Sequence, residues 1–175
     1  MGADINKFVK FANYLADEAR KISLFYFKKK IKITSKNKKI FDPVTIADIS
    51  VQKKINKLIK DKYPDHSILG EEFSVKKISN FEWCIDPIDG TKSYIQGVPL
   101  WGTLISLSKK NQIILGLVDI PSLNERYLAY KKTAYKIING KKTIMKVKKN
   151  KNLRDAILNT TSPYVFANKS DQNSF

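Results

Sequence analysis

The sequence holds one cysteine, one histidine, three arginines and no apolar run long enough to cross a membrane. A lone Cys84 excludes an internal disulfide framework. Its place in an apolar stretch makes it a buried thiol rather than a reactive one. His66 has no cysteine or second histidine beside it and is a poor zinc ligand. The stretch from Phe8 to Phe27 is broken by Lys10, Asp17, Glu18, Arg20 and Lys21, so it reads as neither signal peptide nor membrane span. The chain is therefore expected in the cytoplasm, with no membrane partner. No internal repeat is visible.

What is abundant is lysine. Thirty-three basic residues against 16 acidic ones give a formal charge of +17. A basic surface attracts nucleic-acid backbones regardless of sequence. Specific phosphate and base recognition favours arginine, however, and here the charge is nearly all lysine. The lysines run from Lys7 to Lys169 without forming one stripe, and Asn and Ile are also frequent, as AT-rich coding sequence produces. Compositional bias explains the charge, with nonspecific polyanion affinity as a side effect and no specific nucleic-acid partner.

At 175 residues the chain is one domain, or one and part of another. Ile5, Phe8, Ala12, Leu15, Ala19, Ile22 and Phe25 recur at three- and four-residue steps and predict an amphipathic helix over 4–28, with Asp4 as its cap and Asp17, Glu18 and Arg20 on its wet side. Residues 28–39 form a basic connector. Ala47, Val51, Ile55, Leu58 and Ile59 predict a second helix over 45–62, opened by Thr45 and Asp48 in the form of a cap. Tyr63-Pro64-Asp65 ends it, with His66 in the turn, and Ser67-Ile68-Leu69 is a short strand leading to Gly70-Glu71-Glu72.

The chemistry gathers at Trp83-Cys84-Ile85-Asp86-Pro87-Ile88-Asp89-Gly90-Thr91. Trp83 to Ile85 read as a buried strand that Pro87 stops, since proline has no N–H for a sheet ladder. Asp86, Asp89 and the Ile88 carbonyl are hard oxygen donors of the kind Mg²⁺ prefers. Gly90 and Thr91 open a short helix through Tyr94, whose free N–H groups suit phosphate. By themselves these residues also describe an ordinary Asp-Pro turn with a glycine cap. Beyond them, Gly97 to Gly102 form a turn-rich connector. Strands follow over Thr103–Leu107, Ile113–Ile120, Arg126–Tyr130 and Ala134–Ile138, with a hairpin at Asn139-Gly140. Another strand begins at Ala156–Thr160. The expected class is α+β, two helices on an antiparallel sheet. The expected division is 1–150 as an α+β domain holding the candidate metal residues and 151–175 as the start of a second, truncated one.

The run Asp86-Pro87-Ile88-Asp89-Gly90-Thr91, with Gly70-Glu71-Glu72 and Asp42-Pro43-Val44-Thr45-Ile46-Ala47-Asp48 upstream, resembles the signature of the inositol-monophosphatase superfamily of Mg²⁺-dependent phosphatases. Three blocks in the family's order and spacing are far more specific than any one. The resemblance implies the N-terminal part of that layered sugar-phosphatase fold and two to three Mg²⁺ ions, Mn²⁺ being the alternative. Glu71, Asp86 and the Ile88 carbonyl would ligate one ion. Asp86 would bridge to a second shared with Asp89, and Glu71 would reach a third. Asp48 and Thr91, with Glu71, would be the catalytic set that orients and deprotonates water, while Gly90 and Thr91 hold phosphate. Lys36, Lys38 or Lys39 would steer an anionic substrate.

Phe41-Asp42-Pro43-Val44-Thr45, Gly97-Val98-Pro99-Leu100-Trp101-Gly102, Glu125-Arg126-Tyr127 and Thr160-Thr161-Ser162-Pro163 look most like the histidinol-phosphatase branch, which implies histidinol phosphate as substrate, a place in histidine biosynthesis and a homodimer in the complete enzyme. Ile49 and Ile120 depart from the pattern of relatives. The further metal-binding aspartate that relatives supply from a second domain has no counterpart after Thr160; Asp171 matches no such motif. Inositol, sugar or nucleotide phosphates are the alternative substrates. A basic noncatalytic module binding nucleic acid or a partner chain is the alternative of another class.

Overall fold

A computed structural model describes residues 5–35, 43–147 and 152–157. Helix α1 spans Ile5–Tyr26 and helix α2 spans Ile46–Lys62. Strands β1 (Ile33–Ser35) and β2 (Pro43–Thr45) pair antiparallel. Strands β3 (Ser67–Gly70), β4 (Phe81–Asp89), β5 (Gly102–Lys109), β6 (Gln112–Ile120), β7 (Glu125–Tyr130), β8 (Thr133–Ile138) and β9 (Lys141–Ile144) form one seven-stranded sheet in sequence order. Helix α3 is the single turn Thr91–Ile95 after β4. Contacts divide the chain into Met1–Met145, which holds all these elements, and Lys146–Phe175.

The sheet is antiparallel from β4 to β9, with short links between all these strands except β4 and β5, but its edge strand β3 runs parallel to β4. The class is α+β on a mixed sheet. The connection from β3 to β4, residues 71–80, returns the chain to the same end of the sheet before β4 begins, which makes the pair parallel. Pro87 does not end its strand. Strand β4 continues through it to Asp89, with the register slipping between Asp86 and Asp89. A bulge accommodates the missing N–H, which is one of the places a sheet tolerates proline.

The main core lies between the helices and one sheet face. Phe8, Ala12, Leu15 and Ala19 of α1 and Val51, Ile55 and Ile59 of α2 pack on Trp83, Ile85, Ile105, Leu107, Leu115 and Leu117. Both helical stripes therefore match their periodicity, except that Phe25 is exposed. Cys84 alternates with Trp83 and Ile85 and so faces away from the helices, exposed rather than buried. Partial burial and the nearby Glu82 and Asp86 push its thiol pKa up, so it is no ready thiolate. Arg20 is not on the wet side of α1 either. It reaches the sheet and pairs with the fully buried Asp119. Ala156 and Ile157 carry no strand, and residues 158–160 of that expected strand lie outside the described residues, as do Asp4, Lys36, Lys38, Lys39, Phe41, Asp42, Thr160 to Pro163 and Asp171. Among the described residues no helix is long and apolar enough to cross a membrane.

His66 sits inside an aromatic stack, with ring centroids 4.7 Å from Tyr63 and 4.8 Å from Phe81. The Trp83 indole N–H donates to His66 Nδ1 at 3.0 Å, which requires that nitrogen to be unprotonated. Burial pulls the His66 pKa below 6.5, with Asp65 opposing. The unfolded chain therefore takes up this proton at higher pH than the folded one. His66 costs no stability above its ordinary range and an increasing amount as pH falls through and below about 6.5. Urea unfolding at pH 7.5 and 5.5 should show a loss at the lower pH that His66→Gln reduces, since its amide oxygen still accepts from Trp83 and does not titrate. An equal loss in both proteins would contradict this.

Candidate metal centre

A second, smaller core builds the corner where the expected site residues lie. Ala47, Ile88, Tyr94 and Trp101 are buried together, with Tyr26, Phe27, Ile31 and Ile95 against them. It ties the start of α2, the end of β4, α3 and the end of α1 into one unit. The Tyr94 ring meets Trp101 edge-on, and its hydroxyl donates to the Ser23 carbonyl at 2.7 Å. Burial, followed by the Asp48 charge, pushes the Tyr94 pKa up, so its hydroxyl stays a donor.

The parallel pairing of β3 with β4 accounts for the placement of Glu71. Gly70 is paired with Ile85, and the next backbone N–H, that of Glu71, donates to the Ile85 carbonyl at 3.1 Å. Glu71 thus leaves the sheet edge alongside Asp86. Gly70 is needed there, because a Cβ would come within 2.3 Å of the Phe73 carbonyl oxygen and 2.6 Å of Gln52 Nε2. Asp86 is half-buried. Its Oδ1 is a buried oxygen without a hydrogen-bond partner. Burial first, then the charge of Glu71 and a side-chain hydrogen bond to it, then the charge of Asp89, push its carboxyl pKa up to about 8, opposed by the Ile88 N–H. Asp89 is exposed at the end of the bulge.

Gly90 follows at φ +83°, a left-handed turn that also brings its Cα where a Cβ would lie 3.1 Å from the Leu100 carbonyl oxygen. Its own carbonyl accepts from the Tyr94 N–H and starts α3. Thr91 Oγ1 donates to the Ile88 carbonyl at 3.0 Å. Asp48 is buried and does form the cap of α2. Its Oδ2 accepts from the Thr45 N–H at 2.8 Å and the Thr45 hydroxyl at 2.6 Å, while Thr45 Oγ1 accepts from the Ala47 N–H. The cap fixes where Asp48 stands.

The structure therefore brings Glu71, Asp86, Ile88, Asp89, Gly90 and Thr91 to one corner, and the start of α2 that carries Asp48 packs against Ile88 and Tyr94 through Ala47. Among the described residues no group of three or more Asp, Glu, His or Cys side chains is gathered closely enough to hold an ion as they stand. The donors share a corner but not yet a cage: Asp86 hydrogen-bonds Glu71, which requires a proton on one of the two carboxyl groups, while Asp89 is exposed. Their chemistry fits a hard divalent cation: oxygen donors alone, one of them buried and unpartnered, with charge crowding that a cation would relieve.

Sequence reasoning missed the residues that brace this corner from behind. Asp119, fully buried on β6, accepts from Arg20 Nη2 at 2.7 Å and Arg20 Nε at 3.0 Å, and from Arg126 Nε at 2.8 Å. Arg126 also donates to Asp17 and Asn13 of α1. The period-two alternation Leu115, Leu117, Asp119 was a signal for an inward carboxylate.

The chain is also similar to known proteins. The model of the inositol monophosphatase family matches residues 4–175. The bifunctional phosphatase IMPL2 of Arabidopsis thaliana is 36% identical over 177 residues, covering 97% of this chain and 48% of that protein. A histidinol-phosphatase of Chlorobaculum parvum is 41% identical over 66% of this chain and 44% of its own length. Among solved structures, an inositol monophosphatase from Zymomonas mobilis superposes with a TM-score of 0.77 at 29% identity, covering 94% of this chain and 62% of that one. The chain spans about half the length of the curated relatives it matches. With the family model matched over residues 4–175, this chain belongs to the inositol monophosphatase family.

Proposed function

We propose that this chain carries the metal-binding part of a Mg²⁺-dependent phosphomonoesterase acting on a small phosphate ester, histidinol phosphate first. The observation that carries the reading is the Glu71–Asp86 juxtaposition, with a buried, unpartnered Asp86 oxygen at its centre. Glu71, Asp86, Asp89 and the Ile88 carbonyl would hold the cation, Mn²⁺ serving in place of Mg²⁺. When bound, such a cation neutralises phosphoryl charge and makes water more acidic.

The remaining roles belong to the chain. Gly90 and Thr91 offer backbone N–H groups to the phosphate oxygens, where charge is densest. Asp48, held by Thr45, accepts the proton of a water that Thr91 orients toward phosphorus; the ester P–O bond breaks as the new one forms, and the departing alkoxide takes a proton from solvent water. No protein nucleophile is required. The substrate choice rests on the subfamily marks in the sequence and on the likeness to proteins named histidinol-phosphatase.

Phosphate release from a panel of histidinol, inositol, sugar and nucleotide phosphates tests both halves of the reading. Release should vanish with chelator, return with Mg²⁺ and be fastest with histidinol phosphate. Release that survives chelation overturns the metal reading, and a faster alternative overturns the substrate. The turnover of the best substrate is the reference for one variant. Within that activity Thr91→Ala should lower kcat by about 10²-fold or more with little change in KM. An unchanged kcat would leave Thr91 only its hydrogen bond to Ile88.

A further inference from the structure

The two central metal donors of this reading, Asp86 and Asp89, stand on a bulge, and a bulge has to be held at a defined shape for its carboxylates to converge. Asp86 pairs with Leu104 and Asp89 pairs with Gly102. Between those pairs β4 has two residues, Pro87 and Ile88, and β5 has one, Thr103. Thr103 is fully buried, and its Oγ1 donates to the Pro87 carbonyl at 2.8 Å. It is thus the single residue opposite the bulge, bonded to the peptide midway between the two aspartates.

Thr103 is in turn fixed from the far side. Its strand partner is Asp119, which Arg20 and Arg126 grip through both carboxylate oxygens. The neighbouring Gly102 lies so near this strand that a Cβ would come 2.8 Å from the Asp119 carbonyl oxygen. Bulged strands bend locally and lose ladder bonds, so a side-chain bond across the bulge is the means available to fix its shape.

We infer that Thr103 is a positioning residue of the metal centre: through its hydroxyl it holds the Asp86–Asp89 bulge in the shape that lets both carboxylates reach one cation, with the Arg20–Asp119–Arg126 clamp as its anchor. The inference rests on the metal reading above but concerns a residue that touches neither metal nor substrate. Its signature is a loss of ion affinity that follows the hydroxyl and not the side chain's bulk.

The test is a Mn²⁺ titration of the 175-residue chain, reading free Mn²⁺ by electron paramagnetic resonance, for wild type, Thr103→Val, Thr103→Ser and Asp86→Asn. Unfolding midpoints in EDTA are measured on the same four proteins. Thr103→Val keeps the shape and loses the hydroxyl; it should bind Mn²⁺ three- to tenfold more weakly, the order expected for one hydrogen bond. Thr103→Ser keeps the hydroxyl and should bind within about twofold of wild type. Wild-type affinity in Thr103→Val, or equal weakening in the serine variant, would overturn the inference. A purely structural role would lower the midpoint of Thr103→Val and leave affinity alone. Should the valine variant not fold, the serine variant decides: retained affinity supports the hydroxyl's role, and a tenfold loss contradicts it. If wild type and Asp86→Asn bind alike, the metal reading itself fails, which is a different result from failure at Thr103.

Discussion

Asp119→Ala is expected to destabilise the fold by about 3 kcal/mol, the low end of what breaking a buried ion pair by removing one partner costs, since Arg126 keeps Asp17. Arg126 is 11% exposed in its side chain and Arg20 23%, against none for Asp119. Among the described residues, removing the carboxylate leaves Arg20 with Asn124 and no ion pair, and leaves Arg126 only Asp17 and Asn13, between α1 and the sheet. The hydrogen bond to Asp119 is also the chief reason the Arg20 pKa is raised. A loss of that size is a large part of the 5–15 kcal/mol that holds a typical domain together. Urea unfolding would show it as a fall in midpoint with unchanged slope. Replacing Arg20, Asp119 and Arg126 together by apolar residues of similar volume should recover much of the loss, because buried ion pairs often exceed apolar packing only slightly, if at all. A single Asp119→Ala change worth under 1 kcal/mol would contradict the clamp.

Asp86→Asn is expected to have the opposite balance. It removes the charge from the one donor that adjoins both Glu71 and Asp89, so ion binding and turnover should fall by about 10²–10³-fold, as when a group stabilising transition-state charge is removed. The metal-free fold, in contrast, should be no less stable than wild type. Burial and two neighbouring carboxylates already disfavour the charged form of Asp86, and asparagine has no charge to set against them. Thermal unfolding in EDTA alongside the Mn²⁺ titration separates the two effects. A variant that lost stability and kept its ion affinity would make Asp86 a structural residue.

The contrast between Asp119 and Asp86 shows what the sequence could and could not convey. The stripes of α1 and α2 announced themselves by period, because a helix face buried against a sheet must repeat at three and four residues. The acidic corner was readable through short blocks whose order and spacing are specific. The bulge was not. Proline ordinarily ends a ladder, and nothing local says that Thr103, sixteen residues on, takes the Pro87 carbonyl. Arg20 was misplaced for a related reason: periodicity records where a Cβ points, and a long side chain can carry its charge to a buried partner 99 residues away. Cys84 was misjudged because an apolar run on a sheet with two different faces hides its alternation. The edge pairing of β3, which brings Glu71 to Asp86, likewise depends on a parallel register that no local pattern encodes.

The most direct test of the metal reading is anomalous diffraction from crystals of this chain soaked in Mn²⁺. The account predicts a Mn²⁺ peak held by the carboxylates of Glu71, Asp86 and Asp89 and by the Ile88 carbonyl. No peak at that corner, or one bound only elsewhere on the surface, would contradict it.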